Sequence, residues 1–261
     1  MWWFLLLLLA HKITNWGFFM QFKSQIEAQR FLLRMVPKGY NFWLSGVEAD
    51  KTALNNRNQK YAEFYGCDLT PARKAYRKKK GLANTHFFSV PLPPDELENG
   101  YIWFLIATDG LGPIRENRKL KDARSNPGRV VWGDYVMFEA PRHRLEGGGT
   151  RWSWYLKPDI QKQLDFYVGK LLKESPDQLK AFFEMQCKRP MHHGVRHFLN
   201  RMIKRAHQNF CKMYPGKKWI ARDPTYPLPL ITEFKSHSSA LKGLGWWDWI
   251  KSGRNSTLCS K

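Results

Sequence analysis

Thr150-Arg151-Trp152-Ser153-Trp154-Tyr155-Leu156-Lys157, followed at once by Pro158-Asp159-Ile160-Gln161-Lys162-Gln163-Leu164, decides the fold. The first half alternates large apolar with polar residues, the period of a half-buried strand. The second half opens on proline at a first helical position and spaces its apolar residues by three and four. Ile160, Leu164, Tyr167 and Leu171 continue that stripe. Beyond Pro158 the reading gives helices only. Ser175-Pro176 starts a second, with Leu179, Phe182, Phe183 and Gln186 inward. The longest covers residues 194–213, with Val195, Phe198, Met202, Ala206, Phe210 and Met213 as its apolar face and Pro215-Gly216 as its stop. Residues 216–261 read as an extended tail with Pro224, Pro227 and Pro229 early and Trp246, Trp247 and Trp249 late.

Upstream of Thr150, strands and helices mix. From Met20 an amphipathic helix is expected, with Phe22, Ile26, Leu33 and Val36 near one face. A strand over residues 40–47 comes next, then a helix over 50–65 with Asp50 as N-cap. Thr70-Pro71 opens a helix that runs to Lys80 and stops at Gly81. Strands are expected over 84–90, 101–108, 130–139 and 150–157, the last two joined by a loop ending in Gly147-Gly148-Gly149. The class is therefore α+β: a mixed, largely antiparallel sheet with helices over 20–157, an all-helical part over 158–215 and an irregular tail over 216–261. Residues 1–19 form a hydrophobic extension. Its run Trp2-Trp3-Phe4 and Leu5 to Leu9 is about half the ~20 residues that cross a bilayer. Met20 is expected to open the functional domain; an interfacial anchor over residues 2–9 is the alternative.

Charge narrows the function more than length does. Lys plus Arg number 43 and Asp plus Glu 22 in 261 residues, a formal net charge of +21. Such an excess repels itself in a folded chain and fits a polyanionic partner. Aromatic residues reach 15%, as in proteins that hold phosphates and stack on bases. Four cysteines with no C-x-x-C pair exclude a disulfide scaffold and fit a reducing, cytoplasmic setting. The chain contains no G-x-x-x-x-G-K-[ST], G-x-G-x-x-G or G-x-S-x-G, which argues against NTP motors, dinucleotide enzymes and nucleophile-elbow hydrolases.

Two basic stretches carry the main expectation. Arg73, Lys74, Arg77, Lys78, Lys79 and Lys80 lie on one helix with no acid between Thr70 and Gly81. Like charges four apart oppose helix formation, and a phosphate backbone would relieve them. From Lys188 to Arg222 there are ten Lys or Arg and no Asp or Glu. Arg196, Arg201, Lys204, Arg205 and Lys212 of that stretch lie away from the apolar stripe of the longest helix. Arg151, interleaved with Trp152 and Trp154, is expected with Ser153 on a solvent or ligand face. Most strand aromatics (Trp43, Phe87, Phe88, Trp103, Trp132, Tyr135) read as an aromatic core.

The enzymatic readings are narrower. Asp223 with Leu230-Ile231-Thr232-Glu233-Phe234-Lys235 has the order of a nuclease metal site, two carboxylates for Mg²⁺ and a lysine for the developing charge. Pro227 and Pro229 sit awkwardly in such a strand. Cys187, His193 and His197 are the metal-ligand candidates, His193 and His197 at i,i+4; the plainer reading is histidines in a basic patch. His86 or His143 are the acid–base candidates for metal-free cleavage. No cofactor is expected unless Mg²⁺ serves the nuclease alternative.

Arg77-Lys78-Lys79-Lys80-Gly81-Leu82-Ala83-Asn84 leading into an apolar strand, the strand from Trp103 into Thr108-Asp109-Gly110, and Trp152-Ser153-Trp154 together resemble uncharacterised basic proteins of bacterial plasmids and integrative elements. That resemblance spans about residues 40 to 215. It implies a DNA- or RNA-handling context and brings no catalytic residue with it. The expectation is a nucleic-acid-binding protein, cytoplasmic, acting as a subunit of a nucleoprotein complex, with the Mg²⁺-dependent nuclease and the peripheral membrane protein as alternatives.

Overall fold

The structure, a computed structural model, describes residues 20–93, 96–117, 119–142, 147–219 and 221. The extension 1–19, Asp223, Glu233, Lys235, His143 and the tail beyond 221 lie outside the described residues. In chain order the elements are β1 (Met20–Gln21), α1 (Gln25–Met35), β2 (Phe42–Glu48), α2 (Lys51–Tyr65), α3 (Pro71–Lys79), β3 (Thr85–Pro91), β4 (Tyr101–Ala107), β5 (Lys121–Asp122), β6 (Val130–Trp132), β7 (Tyr135–Pro141), β8 (Thr150–Leu156), α4 (Pro158–Glu174), α5 (Leu179–Gln186) and α6 (His193–Met213). The α+β class is observed.

Strand β4 is central because every residue from Trp103 to Ala107 is buried, whichever face it points to. It pairs antiparallel with β2 on one side and β3 on the other, in the order β1-β3-β4-β2-β5. One face carries Phe42, Phe87, Trp103 and Leu105, packed under Leu54 and Tyr61 of α2. The opposite face stacks Phe88 on Phe104, centroids 5.3 Å apart, and Phe31 of α1 meets Phe88 at 5.2 Å. Trp132 of β6 covers Phe104 from the same side at 4.8 Å. Helix α2 is fixed locally as its sequence requires: Asp50 accepts from the Ala53 N–H at 2.8 Å, and Gly66 ends it in the left-handed conformation.

Three expectations change here. The helix expected from Met20 starts later, because Met20 and Gln21 pair parallel with Phe88 and Ser89 and Ser24 is the N-cap. Its buried side is Ala28, Gln29, Phe31 and Leu32, rotated from the stripe drawn through Ile26 and Leu33. The strand expected over 130–139 is a hairpin: Gly133 takes φ +55 and turns β6 back on β7, pairing Trp132 with Tyr135. The expected single sheet is therefore two. β6, β7 and β8 form a separate antiparallel sheet.

Across Pro158 the described chain stays in one compact unit. Helix α6 packs on β8 and α4, with Val195, Phe198, Leu199, Met202, Ile203, Ala206 and Phe210 buried. Its first turn touches the strand directly. The Gly194 N–H donates to Ser153 Oγ at 3.1 Å, and a Cβ at Gly194 would stand 2.3 Å from Tyr155 Cδ1. Ser153 is accordingly buried, not on a solvent face as the alternation suggested.

Candidate nucleic-acid interface

Helix α3 has the cap its sequence promises, Thr70 Oγ1 lying 3.4 Å from the Arg73 nitrogen, yet no residue of the helix is buried. Without an apolar face it is held by its long polar side chains. The Lys74 ammonium turns inward and donates to the Cys67 carbonyl at 3.1 Å, with His86 Nδ1 at 3.2 Å. Arg77 donates through Nε and Nη2 to the Ala83 carbonyl at 3.2 and 2.7 Å. Asn84 Nδ2 donates back to the Lys74 carbonyl at 2.8 Å. Lys74 and Arg77, both read as phosphate ligands, are thus structural anchors. Arg73, Lys78, Lys79 and Lys80 stay exposed, Lys80 with its nitrogen 5.8 Å from the Tyr76 ring.

Burial around this anchor shifts its titrations. It lowers the Lys74 ammonium below the usual lysine range. Burial, then the Lys74 charge, brings His86 down to about 4. Burial pushes the Cys67 thiol up to about 11. His86 is therefore neutral at pH 7 and accepts from the ammonium.

Helix α6 is built the other way. Its apolar stripe is buried as expected, except at Met213, which is exposed. Arg201, Lys204, Arg205, Gln208 and Lys212 stand on the outside, a row about 16 Å long from Arg201 to Lys212. Arg205 is paired, donating to both oxygens of Asp165 on α4 at 2.7 and 2.9 Å. Arg196 and Arg151 are half-buried. Arg189 is also structural, pairing with Asp134 in the β6–β7 turn at 2.9 Å. At the base of α6, His192 Nε2 lies 2.8 Å from Gln29 Oε1 of α1. Burial, then Arg30, lowers His192 to about 4.

The two basic helices have separate supports. α3 rests on the start of β3, and α6 on β8 and α4; α1 reaches both, through Phe31 to His86 and through Gln29 to His192. Of the strand aromatics, Trp43, Phe87, Phe88, Trp103, Trp132, Tyr135 and Trp154 are buried, so the aromatic-core reading holds for them. The His193 and His197 rings lie parallel, centroids 6.5 Å apart, but among the described residues no three His, Cys, Asp or Glu side chains gather as a metal site. Nor is any described helix long and apolar enough to cross a membrane.

What the sequence reading leaves out is the outer face of α4, a helix whose start and apolar stripe it does place. Lys162, Phe166, Lys170 and Lys173 form its outer ridge, opposite the buried Ile160, Leu164, Val168, Leu171 and Leu172. The signal was available, since Phe166 falls two residues off the apolar stripe. No family model matches this chain, and neither does any curated protein or solved structure.

Proposed function

We propose that this protein binds nucleic acid mainly through phosphate contacts centred on the outer row of α6, as a cytoplasmic subunit of a nucleoprotein complex. The observation that carries this reading is the one-sidedness of α6. Its apolar side is consumed by packing on β8 and α4, so the cations opposite, apart from Arg205 on Asp165, are not needed to hold the helix. No Asp or Glu interrupts the sequence from Lys188 to Arg222, and the net charge of the whole chain is +21. A polyanion that displaces condensed counterions is the ligand such a row suits.

The test is a salt titration of binding to a labelled oligonucleotide. Neutralising about six phosphates gives a log–log slope near −4 to −5. Replacing Arg201, Lys204 and Lys212 together with Gln is expected to flatten that slope by about two to three units and to weaken binding by about 3 kcal/mol at 0.1 M salt. The melting temperature should hardly move, because all three side chains are exposed. A salt-insensitive affinity, or a triple variant that binds like the parent, would refute the assignment.

A further inference from the structure

Phe166 is 77% exposed, the most exposed of the large hydrophobic residues in the described chain. Phe64 of α2 is also an exposed phenyl ring, at 61%, so exposure alone does not single Phe166 out. Its placement does. Phe166 sits on the outer ridge of α4, one turn from Lys162 on one side and from Lys170 on the other. Its sequence neighbour Asp165 holds Arg205 of α6, so the basic row of α6 begins beside it. Among the described residues Phe166 makes no ring contact, unlike Tyr76, the exposed aromatic of α3, which already has Lys80 over its ring.

Resting on the phosphate-binding reading above, we propose that Phe166 is a base-stacking position and that the ligand is therefore single-stranded nucleic acid. A paired base offers its face only to its neighbours in the stack; an unpaired base can lie on a phenyl ring. Cations on both sides would hold the flanking phosphates and so set the base over the ring, the combination that single-strand binders use without sequence preference. Lys162 and Lys170 lie about 12 Å apart along the helix, which leaves room for one nucleotide over Phe166 between two contacted phosphates. A protein partner would also value an exposed phenyl ring. The two lysines that flank it, Lys162 and Lys170 (the latter 3.7 Å from Glu174 on the exposed side of the helix), and the excess positive charge of α6 favour the polyanion.

The experiment uses the full chain and two labelled oligomers of equal length, fifteen thymidines and fifteen abasic sites, which share phosphates and differ in bases. Fluorescence anisotropy at low salt is expected to show the thymidine oligomer bound about 5- to 100-fold more tightly. Phe166→Ala should lose most of that preference while leaving abasic binding within about twofold; Phe166→Trp should keep the preference and Phe166→Leu should not. Equal binding of both oligomers by the parent chain, or a preference that survives Phe166→Ala, would overturn the stacking proposal while leaving the phosphate reading intact. So would a Phe166→Ala variant that weakens both oligomers equally. A parent chain that binds neither oligomer would overturn the single-strand proposal, and one that also fails to bind a fifteen-base-pair duplex at low salt would refute the phosphate reading itself.

Discussion

Helices α3 and α6 are both strongly basic, yet their charges do different work. In α3 no residue is buried, and Lys74 and Arg77 are turned inward to hold the helix against Cys67, Ala83 and His86. In α6 a full apolar stripe does the holding, and its outer cations, except Arg205 on Asp165, are left exposed. A basic side chain is available to a partner only when something else supplies the packing. Equal charge density in sequence therefore leaves only part of each helix's charge exposed for a partner: Arg73, Lys78, Lys79 and Lys80 on α3, and Arg201, Lys204 and Lys212 on α6.

The strongest test of that contrast is at Gly194. A methyl group there would stand 2.3 Å from Tyr155 Cδ1 and 2.6 Å from the Trp154 carbonyl oxygen, and the backbone cannot yield cheaply. Gly194→Ala is expected to destabilise the protein by about 3 kcal/mol in urea unfolding. A neutral result would mean that α6 is not anchored on β8 as described.

Acid should loosen both helices, because each dock contains a half-buried neutral histidine. His192 beside Gln29 and His86 beside Lys74 both titrate near 4, below the ordinary 6.5. The unfolded chain takes up these protons first. Their contribution is thus fully present above about pH 6.5 and is lost as pH falls toward 4, by up to about 2–3 kcal/mol for each group. Stability measured from pH 7 to 4 reads this loss. Lys74→Met should raise the His86 value, followed by its ring proton shifts, since the Lys74 charge is one of the two causes holding it down. An unmoved His86 would remove Lys74 from that dock.

The smallest effect is the sharpest for α3. Arg77→Gln removes two hydrogen bonds to the Ala83 carbonyl and is expected to cost about 1–2 kcal/mol of stability. It should leave the salt slope of binding unchanged, the reverse of the α6 triple variant. If the slope flattens by about one unit, Arg77 meets phosphate and the contrast between the helices fails.

Legibility in the sequence follows the range of the forces involved. The caps at Asp50 and Thr70 and the apolar stripe of α6 could be read because their partners lie within a turn or two. The start of α1 falls four residues or more after the expected one, although Ser24 and Glu27 carry the signature of a helix beginning there. The turn at Gly133 is hidden in the sequence because the apolar alternation continues on both sides of it. Which cations are already engaged was not readable at all. Lys74 finds His86 twelve residues away, Arg205 finds Asp165 forty residues away, and His192 finds Gln29 across 163.

The sequence alone determined the α+β class, the charge excess and the two basic helices, since periodicity, capping and composition act locally or simply add up. Tertiary structure decided the rest. It split the strands into two sheets, buried Ser153 under the first turn of α6, turned Lys74 and Arg77 into anchors, paired Arg205 with Asp165 and left Phe166 bare. Those outcomes depend on which distant group is close enough to compete with water for each side chain, and only the folded chain sets those distances.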